Sequence, residues 1–241
     1  MLMIIAKIIA KLKSKPDYRW ESIYSFRDLA VITSGRFFQL FRGQLRRFFF
    51  KSTNGLIFIG NNVVTKHTYL ISVGKNLILE DNTYINALSE DGIMFKDNVS
   101  IARNCTLICT GVIAQKGKGI IIGDNTGINC NAYLAGQGGI EIGNNVIIGP
   151  GVKIFSENHN FGDLAVAIKD QGVSRKAVII NNNCWLGANV TILAGVTIGE
   201  GSVIAAGSVV TKSVPANAII GGVPGRFIKS RSYILNSEEF S

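Results

Sequence analysis

From residue 180 onward an apolar side chain recurs at every sixth position: Ile180, Leu186, Ile192, Ile198, Ile204 and Val210. Four places after each sits a small or β-branched residue: Cys184, Val190, Val196, Ser202, Ser208 and Val214. The same register runs upstream through Ile142, Ile148 and Ile154, and through Ile122, Ile128 and Leu134. Weaker copies are Phe95, Ile101, Leu107 and Val73, Leu79, Ile85. A period of six does not fit the 3.6-residue helix, and plain two-residue alternation would supply far more apolar positions. It suits a short strand plus a turn, three of which make one triangular coil of a parallel β-helix. Such coils stack about 4.8 Å apart, each covering the apolar residues of its neighbour. The small residue in each hexad points into the narrow interior near a corner. Asn61-Asn62, Asn144-Asn145 and Asn181-Asn182-Asn183 fit corners that need left-handed backbone. Residues 59–221, less one interruption, have room for roughly eight coils of 18 residues.

The first 51 residues follow a different pattern. Ile4, Ile5, Ile8, Ile9 and Leu12 share one side of a predicted helix over residues 2–15, opposite Lys7, Lys11, Ser14 and Lys15, and Pro16 should end it. Its apolar run is too short to span a bilayer. Its charges follow that run, unlike those of a signal peptide. Residues 1–51 carry 11 Lys/Arg against Asp17, Glu21 and Asp28, a balance of +8 out of the chain's +9. They also hold 7 of the 13 Phe but only Gly35 and Gly43 of the 27 Gly. This composition break sets a boundary between a helical, basic and aromatic segment over 1–51 and a β-helical domain over 52–241. In residues 35–51, Phe37, Phe38, Phe41, Phe48, Phe49 and Phe50 alternate with Arg36, Arg42, Arg46, Arg47 and Lys51. Such a segment is either a helical cap or subunit contact whose Phe residues pack on the main domain, or a stretch lying at the headgroups of an anionic membrane. No nucleic-acid-reading motif accompanies it.

Composition narrows the chemistry. With 47% hydrophobic and 17% charged residues, the 241-residue chain is no disordered protein. Two histidines, His67 and His159, leave no three-His metal site, and no metal is expected. Cys105, Cys109, Cys130 and Cys184 have no CxxC spacing, which removes a zinc ribbon. Cys105 and Cys184 occupy the small hexad slot and read as core fillers. His67 precedes the regular coils and reads as structural. The register breaks once at length, over residues 155–178, and a long excursion from a regular solenoid is where function concentrates. That loop contains His159, either a polar loop residue or a catalytic base.

Residues 185–229, WLGANVTILAGVTIGEGSVIAAGSVVTKSVPANAIIGGVPGRFIK, resemble the hexapeptide-repeat acyltransferases, which use acetyl-CoA. The loop pattern S-x-N-H-N-F…I-x-x-Q-G resembles the branch that O-acetylates bacterial surface polysaccharides and sialic acids, together with related sugar and antibiotic acetyltransferases. The resemblance implies an all-β, left-handed parallel β-helix and a homotrimer with active sites between subunits. It implies His159 as general base, with Glu157, Asp163 or a backbone carbonyl to orient it, and Trp185 facing the reacting thioester. It places Asn131 and Gln171 at the acceptor, although Asn131 fits a turn equally well and Trp185 also fits as cover for a corner. It places Ala206 and Thr211 along the pantetheine arm, Lys212, Lys229 and Arg226 near the CoA phosphates, and Pro224 under the adenine. Gly225, where Ala is usual, and Val166-Ala167-Ile168, which lacks a proline, depart from the pattern. The expected activity is acetyl transfer to a sugar hydroxyl of a surface polysaccharide or its precursor. The alternatives are a soluble small-molecule acceptor or a non-catalytic β-helical scaffold. The expected location is the cytoplasm, with peripheral contact at the inner face of the cytoplasmic membrane if the basic segment meets lipid.

Overall fold

The computed structural model describes residues 25–231, so the helix expected over residues 2–15 lies outside the described residues. Twenty-five short strands form three parallel sheets around one core, plus a small hairpin. Seven strands make the first sheet, from Ser52–Thr53 to Thr197–Ile198. The second sheet starts at Ile57–Ile59 and the third at Val64–Lys66. The chain visits the sheets in the order one, two, three, then one again, which is the path of a three-sided β-helix. Seven coils stack this way, and the second sheet adds a last parallel strand, Ala218–Gly221, closed by the antiparallel Arg226–Ser230.

Every hexad residue named from the sequence is buried, from Val73, Leu79 and Ile85 to Ile198, Ile204 and Val210. So are the small-slot residues Cys184, Val190, Val196, Ser202, Ser208 and Val214. Burying each Ile or Leu stabilises the fold by about 1.5–3 kcal/mol, repeated coil after coil. Two edges are stapled by asparagines held at positive φ. Asn62, Asn82 and Asn104 each donate from Nδ2 to the Oδ1 of the next rung, at 3.3, 3.2 and 3.2 Å, and the ladder ends at Asn131. Asn76, Asn98 and Asn125 form a shorter ladder on the adjacent edge, at 2.8 and 3.0 Å.

The even coils of 18 residues expected from the period occur only near the C-terminal end, where Ile179 pairs with Thr197. Earlier steps are longer, as in Ser52↔Ser72, Ile71↔Ile93, Ile93↔Ile120 and Ile140↔Val178. All the extra residues fall on one edge, between the third and first sheets, because the other two corners keep constant length through the stack. Two insertions dominate that edge, residues 109–119 and 156–177.

Helix α1 (Phe26–Arg46) closes the N-terminal end. Ser25 and Asp28 form a reciprocal capping box at its start. The helix lies against the first coil at Gly43, where a Cβ would come within 1.8 Å of the Ile57 carbonyl oxygen. Its arginines satisfy open coil carbonyls: Arg42 donates to Ile59 O at 2.8 Å and Arg46 to Val63 O at 2.8 Å. Arg36 pairs with Glu80 at 2.9 Å. The expectation that the cap's phenylalanines pack on the main domain holds for Phe50 alone; Phe37, Phe38, Phe41, Phe48 and Phe49 are exposed. Polar groups answer the carbonyls that the first coil leaves unpaired, and this turns the apolar side of α1 outward.

Candidate active site

Residues 156–177 leave the solenoid at the inserted edge and start and finish as an antiparallel hairpin. Glu157–His159 pairs with Val173–Arg175, with His159 opposite Val173. The hairpin is anchored at its base. Buried Ser156 donates from Oγ to Ala135 O at 2.6 Å and accepts from Gly138 N at 2.8 Å. Arg175 Nε donates to Glu157 Oε2 at 2.7 Å across the two strands. The same guanidinium reaches Lys116 O at 2.9 Å and Gln115 O at 3.1 Å, tying the hairpin to the 109–119 insertion two coils earlier.

These contacts engage several of the side chains expected at the site. Glu157 is committed to Arg175, and Asp163 caps its own turn by accepting from Ala165 N at 2.8 Å. Gln171, expected at the acceptor, braces the loop. Its Nε2 donates to Asp163 O and Val166 O, both at 2.7 Å, and its Oε1 accepts from Asp163 N at 3.0 Å. His159 is exposed, and its imidazole makes no hydrogen bond among the described residues. Arg175 has no assigned role in the sequence reading, and Ser156 enters it only as the first residue of the S-x-N-H-N-F pattern. Their only signal there is position, at the two ends of the break in register.

The other expected site residues fall on two sides of the prism. Trp185 begins a strand of the second sheet between Ile147 and Val203, with its ring 52% exposed. Asn131 and Ala206 lie on the edge between the second and third sheets. Asn131, at φ 61°, is the last rung of its ladder, because the next coil carries Gly151 there. Ala206 precedes Gly207, where an added Cβ would meet nothing within 4 Å. Arg226 and Lys229 stand on the final strand along the second sheet, and Pro224 sits in the turn before it. His159, Gln171, Thr211 and Lys212 belong to the opposite edge, between the third and first sheets. In a three-sided prism that edge lies across the body from the second sheet, so one chain does not bring His159 to Trp185.

Burial pushes the Cys105 thiol up to about 11 and the Cys109 thiol up to about 12, and it raises Cys184 as well. These three are neutral fillers. Among the described residues no three His, Cys, Asp or Glu side chains cluster as a metal site. His67, at φ 56°, starts a 3₁₀ turn and stacks on Tyr69.

Residues 177–212 match the family described as Bacterial transferase hexapeptide (six repeats). The chain is 32% identical over 158 residues to the galactoside O-acetyltransferase of Escherichia coli (strain K12), covering 65% of this chain and 76% of that one. It is 34% identical over 127 residues to a protein of the same organism named for lipopolysaccharide biosynthesis O-acetyl transfer, WbbJ, covering 48% and 64%. The chain spans about half to two thirds of the length of several of the curated relatives it matches. A solved structure of a mutant of AntD, an N-acyltransferase from Bacillus cereus in complex with dTDP and coenzyme A, superposes with a TM-score of 0.52 at 24% identity, covering 78% of this chain and 88% of that one. That likeness concerns the fold, a left-handed parallel β-helix.

Proposed function

We propose that this chain, which belongs to the hexapeptide-repeat acyltransferase family, is an acetyl-CoA-dependent O-acetyltransferase acting on a sugar hydroxyl of a bacterial surface polysaccharide or its precursor. The observation that carries the reading is the placement of His159. It is the one histidine on the long insertion, it stands exposed on a hairpin braced at both ends, and no carboxylate of the loop occupies its ring. An imidazole can take a proton from an attacking hydroxyl. The names of the relatives support the acceptor class: two galactoside O-acetyltransferases and one protein named for lipopolysaccharide O-acetylation.

In this reading His159 removes the acceptor's hydroxyl proton as its oxygen attacks the thioester carbonyl. The tetrahedral intermediate collapses by breaking the C–S bond, and the proton held by His159 passes to the departing sulfur. The ester and free CoA leave. For the donor, the C-terminal coils offer a lining of small residues, Ala205, Ala206 and Gly207, and the Ala206 and Thr211 amides have no partner among the described residues. Exposed Arg226, with Lys229, on the second-sheet side of one copy and exposed Lys212 on the opposite edge of a neighbouring copy supply cations for its phosphates. A homotrimer completes the arrangement. Phe161, Leu164 and Ile168 lie exposed on the catalytic loop, Leu164 fully so, as expected of a loop that seats on a neighbouring copy.

The test is a thiol-release assay with acetyl-CoA and a panel of sugars and lipid-linked oligosaccharides, with products read by mass spectrometry. His159→Ala should lower turnover about 10²–10⁴-fold while CoA affinity stays within a few-fold. Turnover close to that of the parent removes His159 as the base.

A further inference from the structure

We propose that the outer face of α1 docks the protein on an anionic lipid surface. From Arg36 onward the helix is amphipathic in the reverse of the usual sense, while Leu29 in its first half is buried. Arg36, Gln39, Arg42, Gly43 and Arg46 lie toward the coil, where the arginines are held by Glu80, Ile59 O and Val63 O. Phe37, Phe38, Phe41 and Leu45 lie on the opposite side, and Phe48 and Phe49 continue that side through the following 3₁₀ turn. A cap that served only to cover the first coil would put those rings on it. Here they are left outside, with Phe48 84% exposed. Five phenylalanines at these exposures present roughly 500–800 Å² of apolar surface. A patch of that size exceeds what a soluble monomer ordinarily leaves open.

Charge identifies the occupant. Residues 25–51 carry Arg27, Arg36, Arg42, Arg46, Arg47 and Lys51 against Asp28, six basic to one acidic. The residues beyond 51 are close to balanced, so the positive field is concentrated at the end of the prism that bears the apolar face. An apolar face at the basic end of the prism suits a bilayer with negative headgroups, where rings enter the interface and exposed Arg27 and Lys51, which the coil does not hold, stay at its polar level. Among the described residues no helix is long and apolar enough to cross a membrane. The inference does not depend on the acetyl-transfer reading, and its test reads binding alone.

The full chain is sedimented with vesicles of phosphatidylcholine containing 30% phosphatidylglycerol, and with phosphatidylcholine alone, at low and at 0.3 M salt. Anionic vesicles should be bound at low salt, bound several-fold less at 0.3 M salt without reaching zero, and neutral vesicles bound least. Phe37→Ser/Phe41→Ser/Phe48→Ser should weaken binding at least tenfold, about 1.4 kcal/mol, at both salts. Its thermal midpoint should stay within a few degrees of the parent's, because these rings are already exposed. Failure of the full chain to bind anionic vesicles at low salt overturns the inference. So does parent-like binding by the triple variant, which would place the contact outside this face. So does an assembly of parent chains that the serines dissolve, which would make the face a contact between copies. Loss of acetyl transfer with vesicle binding intact would instead count against the proposed function alone.

Discussion

At single positions, the hexad determines which side chains the interior accepts. Cys105 and Cys184 sit in its small slot, and both sulfurs lie against corner carbonyls, at 3.1 Å from Asn129 O and 3.2 Å from Gly199 O. Burial raises the folded pKa of Cys105 and Cys109 to about 11 and about 12. A thiol in the unfolded chain ionises at about 8.5. Above that pH the unfolded chain has lost protons that the folded chain retains, so stability is complete below the unfolded value and falls as pH rises towards 11 to 12. The slope is at most about 1.4 kcal/mol per pH unit for each thiol. Denaturant midpoints should therefore decline between pH 8.5 and 10, and Cys105→Ala/Cys109→Ala should flatten the decline while lowering the midpoint at pH 7. An equally steep decline in that variant would assign it to other groups. In the native protein at pH 8, half-buried Cys130 should react with a thiol reagent well before the other three, which lie in the core. The slots of Cys105 and Cys184 were legible in the sequence because a six-residue period leaves one position per hexad for a small side chain. Gln171 was not legible. A loop glutamine that contacts an acceptor and one that binds its own loop's carbonyls look alike until the chain is folded.

Among the elements, the breaks in register mark the insertions, and the structure adds that all share one edge. Leu134 to Ile142, Ile85 to Phe95 and Leu107 to Ile122 each skip the same turn of the triangle, the one after the third strand of a coil. The spacing contained that information. The bracing of the two largest insertions by Arg175 did not appear, since it joins residues some 60 positions apart through backbone carbonyls. The same limit applies to α1. The sequence of residues 35–51 showed phenylalanines interleaved with arginines and left open whether the rings pack on the main domain. It could not show that the first coil leaves carbonyls which Arg42 and Arg46 answer. Arg175 gives a prediction at this scale. Arg175→Met removes three hydrogen bonds and leaves Glu157, which is half-buried, without its cation. Charged hydrogen bonds contribute about 1.5–3 kcal/mol each where they are shielded, and partial exposure reduces that here. The hairpin should loosen locally without unfolding the solenoid. Amide exchange should quicken in residues 157–175 and 109–119 and stay slow in the coils, and turnover should fall more than the acetyl-CoA Michaelis constant rises. Uniformly faster exchange through all coils would show a global role for Arg175 instead.

For the molecule as a whole, the decisive feature is the division of the expected site across the prism. The hairpin with His159 leaves the edge between the third and first sheets, while Trp185 and the final strand with Arg226 and Lys229 belong to the second sheet on the far side. Parallel strands fix this arrangement, because no local rearrangement carries a side chain through a core as tightly packed as this one. If both groups take part in one reaction, a site needs the loop of one copy and the second-sheet side of another. Threefold rotation closes such a heterologous contact into a ring with three equivalent sites. The exposed Phe161, Leu164 and Ile168 on the loop then have a surface to meet, and so do the outward apolar residues of the second sheet, Ile147 and Trp185. His159→Ala and Trp185→Ala would each damage every site in a uniform trimer. When equal amounts are unfolded and reassembled together, a site is intact if its loop comes from one variant and its second sheet from the other, so about one quarter of sites should recover. The mixture should therefore reach about a quarter of the parent's activity, well above either variant alone, and sedimentation should confirm a mass of three chains. If each site lay within one chain, no mixture could exceed its parts, and activity no greater than the mean of the two variants in verified hybrids would overturn the shared-site arrangement.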